Sequence, residues 1–229
     1  MTRFWGGMTP HSITFISETH RHIESVEFIE GLVSEFVRQN KCLTVALEID
    51  DVQQPAMNRV LTEGAAVSNI DIPSMIDHLP MRQMITHMAV WKKNSSCLNV
   101  VAIDTGIDTP YDRDQWMAKR LSELAGDTPV LVLLGSLHTI KKVDWLVATG
   151  KPSVAEILTN KGFRVKSFPQ CWIPDQCKAG ENRYSRFVSA DSPKAVTILN
   201  QSLMSLINAK RHKSAQGVVD GFVIWECGN

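Results

Sequence analysis

Acidic and histidine side chains recur in this chain directly behind short apolar runs. Residues 13–16 (ITFI) are followed by Ser17, Glu18, Thr19 and His20, then Arg21 and His22. Residues 43–49 (LTVALEI) carry Glu48 at their end, with Asp50 and Asp51 behind it. The run 98–103 ends in Asp104, and 129–134 (PVLVLL) leads into Gly135, Ser136, Leu137 and His138. Carboxylates and imidazoles that converge can move protons to and from a bound water, or together ligate a divalent ion. Taken singly, each has a simpler explanation: an acid behind a strand often caps the next helix, and a lone loop histidine is usually solvated. Glu48 resists that explanation. A carboxylate at the end of an apolar strand is costly to bury without a histidine, arginine or metal partner. The pattern repeats behind four runs, which weighs more than any one residue.

For these side chains to meet, the apolar runs must be neighbouring parallel strands, because ligands of open parallel sheets bind outside the carboxyl ends of the strands. The segments between them have helical period. Residues 24–40 place Val26, Ile29, Leu32, Val33, Phe36 and Val37 on one face. Residues 112–125, 153–160 and 193–210 read as further helices, the last opening on the cap and first-turn pair Ser192-Pro193. Residues 163–168 and 221–225 are later strand candidates, and PVLVLL is apolar enough to be covered on both faces. This alternation predicts an α/β fold with a mainly parallel central sheet and helices on both faces. It forms a single domain over 1–229, with a helical insertion of about 50–96 after the second strand. Met75, Ile76, Met81, Met84, Ile85, Met88 and Trp91 in that insertion read as core or lid packing. The stretch 169–186 reads as a loop covering the site or the sheet edge.

The 229 residues carry 24 Lys+Arg against 24 Asp+Glu, so no overall field gathers nucleic acid or anionic membrane. No apolar run approaches the roughly 20 residues of a membrane span, and residues 1–10 lack the apolar core of a secretory signal. These features predict a cytoplasmic protein with no nucleic-acid partner and leave oligomeric state open. Cys42, Cys97, Cys171, Cys177 and Cys227 form no C-x-x-C pair and read as packing thiols of a reducing compartment, with Cys171 and Cys177 the only near neighbours. A P-loop, G-x-G-x-x-G, G-x-S-x-G and H-E-x-x-H are all missing, which argues against kinases, dinucleotide-dependent dehydrogenases, ordinary α/β-hydrolases and zincins.

In combination the motifs resemble a known superfamily, that of the erythromycin esterases, the ChaN-like haem-binding proteins and the Tiki (TraB) metal-dependent proteases. Ser17-Glu18-Thr19-His20 is similar to its G-E-x-H element, and Glu48 in VALEI to its second-strand glutamate. RDQWMAKRL (113–121) resembles its R-D-x-x-M-A helix, VLLGSLH (132–138) its second G-x-x-H, and DGFVIWE (220–226) its last strand. The resemblance implies a site of Glu18, His20, Glu48, Arg113 and His138, with Asp114 orienting Arg113 or capping its helix. It alone implies a small-molecule or peptide substrate, and hydrolysis of an ester or peptide bond in one of two forms. In the first, His20, Glu48 and His138 hold a divalent metal ion, Glu18 takes the proton of a bound water and Arg113 stabilises the oxyanion. In the metal-free form a histidine oriented by Glu18 or Glu48 activates water directly. Haem binding of the ChaN type is the alternative, with axial ligands from His or from Tyr111 and Tyr184. A catalytically silent interaction protein on the same fold is the third implication. Ser17 stands where the family has glycine, and is expected to narrow the approach to the backbone there.

Overall fold

In the computed structural model, which describes residues 8–20, 22–94, 97–106, 109–172 and 183–227, every early apolar run is a strand. These are β1 (Ser12–Glu18), β2 (Leu43–Asp50), β3 (Leu98–Asp104), β4 (Val130–Gly135) and β5 (Arg164–Phe168). They form one all-parallel sheet in the order β3-β2-β4-β1-β5. The helices are α1 (Ile23–Arg38), α2 (Gln54–Asn58), α3 (Leu79–Asn94), α4 (Arg113–Leu124), α5 (Val154–Asn160) and α6 (Pro193–Ile198). The sheet is covered on both faces, as β4 shows most directly. Leu131 and Leu133 enter the core that contains α1 and the methionine face of α3. Val130, Val132 and Leu134 enter the opposite core, with α4 and α5. Met81, Met84 and Met88 are fully packed in the core, whereas Met75 is exposed.

The parallel register brings the ends of the strands level. Glu18 pairs with Gly135 across β1 and β4, and Asp50 with Asp104 across β2 and β3. Between Leu47 and Asp50 the β2–β3 register slips: Leu47 opposes Ala102 and Asp50 opposes Asp104, leaving Glu48 and Ile49 against Ile103 alone. That extra residue is the signature of a β-bulge, which re-aims side chains at a strand end.

The insertion after β2 is helical, as expected: helical turns run over Asp51–Glu63, a single turn follows at Val67–Asn69, and α3 closes it, with Gly64 turning the chain at φ +78° between the first two. Other expectations need correcting. The segment from Pro193 forms α6, then a wide turn over Leu199–Leu203, and leaves helical geometry well before Lys210. The stretch 169–186 is not all loop: its described ends are strands β6 (Gln170–Trp172) and β7 (Arg183–Ser189). They flank β8 (Gly221–Cys227) in a separate three-stranded sheet, β6-β8-β7. Finally, the cysteines are not scattered thiols. Cys42 and Cys97 form a disulfide at the starts of β2 and β3, Cys227 is also disulfide-bonded, and Cys171 is free. Cys177 lies outside the described residues.

The small sheet is latched to the large one through Ser17, which is completely buried. Its hydroxyl accepts from the Gln170 backbone N–H at 2.6 Å, while the Gln170 amide donates to the Ser17 carbonyl at 2.6 Å. The Trp225 indole N–H closes the set on Gln170 Oε1 at 2.8 Å. Ser17 therefore points at the second sheet. It does not line the cavity at the strand ends, and the expected narrowing of approach does not occur there.

Candidate functional site

A cavity of about 240 Å³ opens at the carboxyl ends of the central strands, lined by His20, Glu48, Asp104, Arg113, Gly135 and His138. Pro73, Met75 and Ile76 from the insertion form an apolar wall. Of the expected site residues, His20, Glu48, Arg113 and His138 meet in this one space. Glu18 sits beneath His20.

Glu18 closes β1 and its side chain is only 2% exposed. Burial on that scale demands a partner for the carboxylate, and His20 supplies it: Nδ1 lies 2.8 Å from Glu18 Oε2. A ring held at Nδ1 by a carboxylate presents Nε2 as its free acceptor, the arrangement that turns an imidazole into a directed base. Residues i and i+2 can meet this way because the chain turns directly after the strand.

Glu48 is turned inward by the bulge and spans two elements. Its Oε2 accepts from the Gly135 backbone N–H at 2.7 Å, and its Oε1 from Arg113 Nη2 at 3.2 Å. Asp104, almost fully buried, grips the same guanidinium, accepting from Nε at 3.0 Å and from Nη2. Two carboxylates hold Arg113 firmly protonated, with the Asp104 hydrogen bond the largest influence. Asp104 takes Nε and Nη2 and Glu48 takes Nη2, which leaves Nη1 without a partner among the described residues.

His138 follows β4 on a single 3₁₀ turn, Ser136–Thr139. Its Nδ1 forms an ion pair with Asp114 Oδ1 at 2.5 Å, and its Nε2 lies 3.7 Å from Glu48 Oε1. Burial is the largest influence and opposes the charge. The Asp114 and Glu48 carboxylates together outweigh it, and the His138 pKa is raised above the usual 6.5. Asp114 therefore neither orients Arg113 nor caps α4. Asp112 is the cap, accepting from the Gln115 N–H at 3.1 Å, and Asp104 with Glu48 orients Arg113. The pairing of Asp114 with His138 joins residues distant in sequence, and no local motif announces it.

The residues present do not suit a metal ion. Among the described residues no three His, Cys, Asp or Glu side chains are grouped to hold one. Of the expected ligand set, Glu48 is taken up by Gly135 and Arg113, while His20 and His138 are held at Nδ1 by Glu18 and Asp114. The Arg113 guanidinium already neutralises the carboxylates that a cation would need. Haem fits this cavity no better: 240 Å³ falls below the roughly 300–1,000 Å³ of ordinary ligand sites, and neither Tyr111 nor Tyr184 lines it.

No protein-family profile and no curated protein sequence matches this chain. Solved structures do. A histidine-to-asparagine variant of the erythromycin esterase EreC, in its open conformation, superposes with a TM-score of 0.63 and 10% identity, covering 96% of this chain and 91% of that one. The haem-binding protein ChaN of Campylobacter jejuni superposes with a TM-score of 0.51 and 12% identity, covering 77% of this chain and 87% of that one. The chain has the fold of EreC and ChaN. At such identities the likeness concerns the fold; what the site does must be argued from its own geometry. No helix among the described residues is long and apolar enough to cross a membrane.

Proposed function

We propose that the protein is a metal-independent hydrolase of an ester or peptide bond. The observation that carries this reading is a pair of histidines, each held at Nδ1 by its own carboxylate, lining one cavity with a clamped arginine. His20 acts as general base: Nε2 takes a proton from water as the water oxygen attacks the substrate carbonyl carbon, and Glu18 stabilises the imidazolium that forms. The developing oxyanion is met by Arg113, whose position is set before substrate arrives, so no reorganisation is needed at the moment of reaction. His138, whose pKa Asp114 and Glu48 raise above the usual value, donates its proton to the departing alkoxide or amide nitrogen as the tetrahedral species collapses. The products are a carboxylic acid and an alcohol or amine, with water consumed. Glu48 is a positioning residue that fixes Arg113 against Gly135.

The likeness to EreC supports this reading as one of fold, and the Arg113 guanidinium held between Glu48 and Asp104 supports its metal-free form. The test is a panel of p-nitrophenyl esters and peptide p-nitroanilides in the presence of a chelator. Turnover that survives chelation and disappears in His20→Ala supports the proposal. Turnover that needs added metal, or that persists in His20→Ala, overturns it. Haem binding is the competing reading, favoured by the likeness to ChaN. A Soret band on adding hemin, lost in Tyr111→Phe, Tyr184→Phe or a site-histidine variant, would establish it in place of hydrolysis.

A further inference from the structure

A second and larger cavity lies between α4 and α5. It measures about 590 Å³ and shares no lining residue with the cavity at the strand ends. Its size falls within the range of small-ligand sites.

Trp116 is its fixed element. The indole N–H donates to Asp51 Oδ2 at 3.2 Å, which orients the ring from behind. The Tyr111 ring stacks on it with centroids 5.3 Å apart and planes 26° from parallel. Tyr111 is nevertheless 62% exposed, an unusual amount of aromatic surface to leave facing water. Ile157 from α5 adds an apolar wall.

Two cations, Lys119 and Lys161, complete the lining together with Gln115 and with Asp112, whose carboxylate is paired with Lys151. Lys119 holds its ammonium 5.6 Å from the Trp116 ring centroid, and Lys161 stands just beyond α5. Neither has a carboxylate partner among the described residues. The basic groups around them do: Arg120 pairs with Glu123 at 2.9 Å and Lys151 with Asp112 at 2.8 Å. In a chain of zero net charge, two unpaired lysines beside an aromatic stack form a local positive field over an apolar platform. That combination matches a ligand with the opposite features: a flat face to stack and a negative charge at its edge.

We propose that this cavity binds a small planar aromatic anion, one or two fused rings bearing a carboxylate or a phosphate. The ring lies along Tyr111 and Trp116 against Ile157, and the anionic group is held by Lys119 and Lys161. The proposal does not depend on the hydrolase reading, because no residue is shared between the two cavities.

Titration calorimetry with 2-naphthoate and 2-naphthyl phosphate tests it, with neutral 2-naphthalenemethanol and aliphatic acetate as controls. Both aromatic anions bind at least tenfold more tightly than either control, and whichever of the two is preferred tells carboxylate from phosphate. Lys119→Gln with Lys161→Gln removes at least tenfold of the anion affinity while leaving that of naphthalenemethanol unchanged. Tyr111→Ser weakens all three aromatic probes together. All three substituted side chains are at the surface, so folding is not at issue, and an unchanged unfolding temperature records that. Equal affinity for charged and neutral probes, no binding by the native protein, or anion affinity unaltered in the double lysine variant would each overturn the proposal.

Discussion

His20 stands on a buried carboxylate and is itself open to the cavity, whereas His138 is the more enclosed partner of a more exposed one. The side chains of Glu18 and His20 are 2% and 41% exposed, those of Asp114 and His138 21% and 22%. The two pairs use the same atoms, an Nδ1 and a carboxylate oxygen, to different ends. A carboxylate sealed under its histidine fixes the ring and leaves the far nitrogen for a solvent molecule. A histidine set between Asp114 and Glu48 has two negative neighbours that raise its pKa. Environment separates the roles, as it does wherever one site must both accept and donate protons.

The comparison breaks first at the histidines. His20→Ala lowers kcat by about 10³-fold and His138→Ala by about 10²-fold, within the span usual for positioned acids and bases. Single-turnover rates on one ester measure both, and a larger loss at His138 would reverse the assignment. Next comes the support behind Glu18. Ser17→Ala leaves the buried Gln170 N–H without its acceptor and destabilises the fold by about 1–3 kcal/mol in denaturant unfolding. The variant keeps kcat within twofold, because Ser17 does not line the cavity. A kcat loss as large as that of His138→Ala would place Ser17 in the chemistry.

The smallest effect is the most diagnostic. Because the His138 pKa is raised in the folded state, its charged form persists above pH 6.5 and is lost as pH climbs through the raised value. Stability from its ion pairs follows the same course: fully present below the unfolded pKa, gone above the folded one. Acid catalysis by His138 therefore puts a falling alkaline limb on the pH–rate profile. Asp114→Asn removes the strongest influence raising the pKa and moves that limb to lower pH, with the optimum rate reduced less than about tenfold. A limb unmoved by Asp114→Asn would show that His138 is not the titrating group.

Much of the site is legible in the chain itself. Glu48 and His138 announce themselves because they end strongly apolar runs, and parallel strands bring such ends together. Asp114, the partner of His138, is different: it follows Arg113 at a helix start, where an acid is ordinary. Only the fold lays that first turn beside the loop after β4. Strand β7 escapes for a related reason. Arg183, Tyr184, Ser185 and Arg186 are all exposed, so the strand shows no alternation to read. The Cys42–Cys97 disulfide does carry a usable signal. Each cysteine sits immediately before a strand, and in a parallel pair with Leu43 opposite Leu98 those two positions are neighbours. Order along the chain, 55 residues apart, conceals it.

The slip in β2 has a further consequence for how such a protein can change. Removing one residue between Leu47 and Asp50 would let β2 and β3 pair without interruption, and side chains in that segment would exchange faces. The chain thus lies one deletion from a more regular sheet without an inward glutamate. There the regularity of the sheet and the aim of a carboxylate make opposite demands on the same residues.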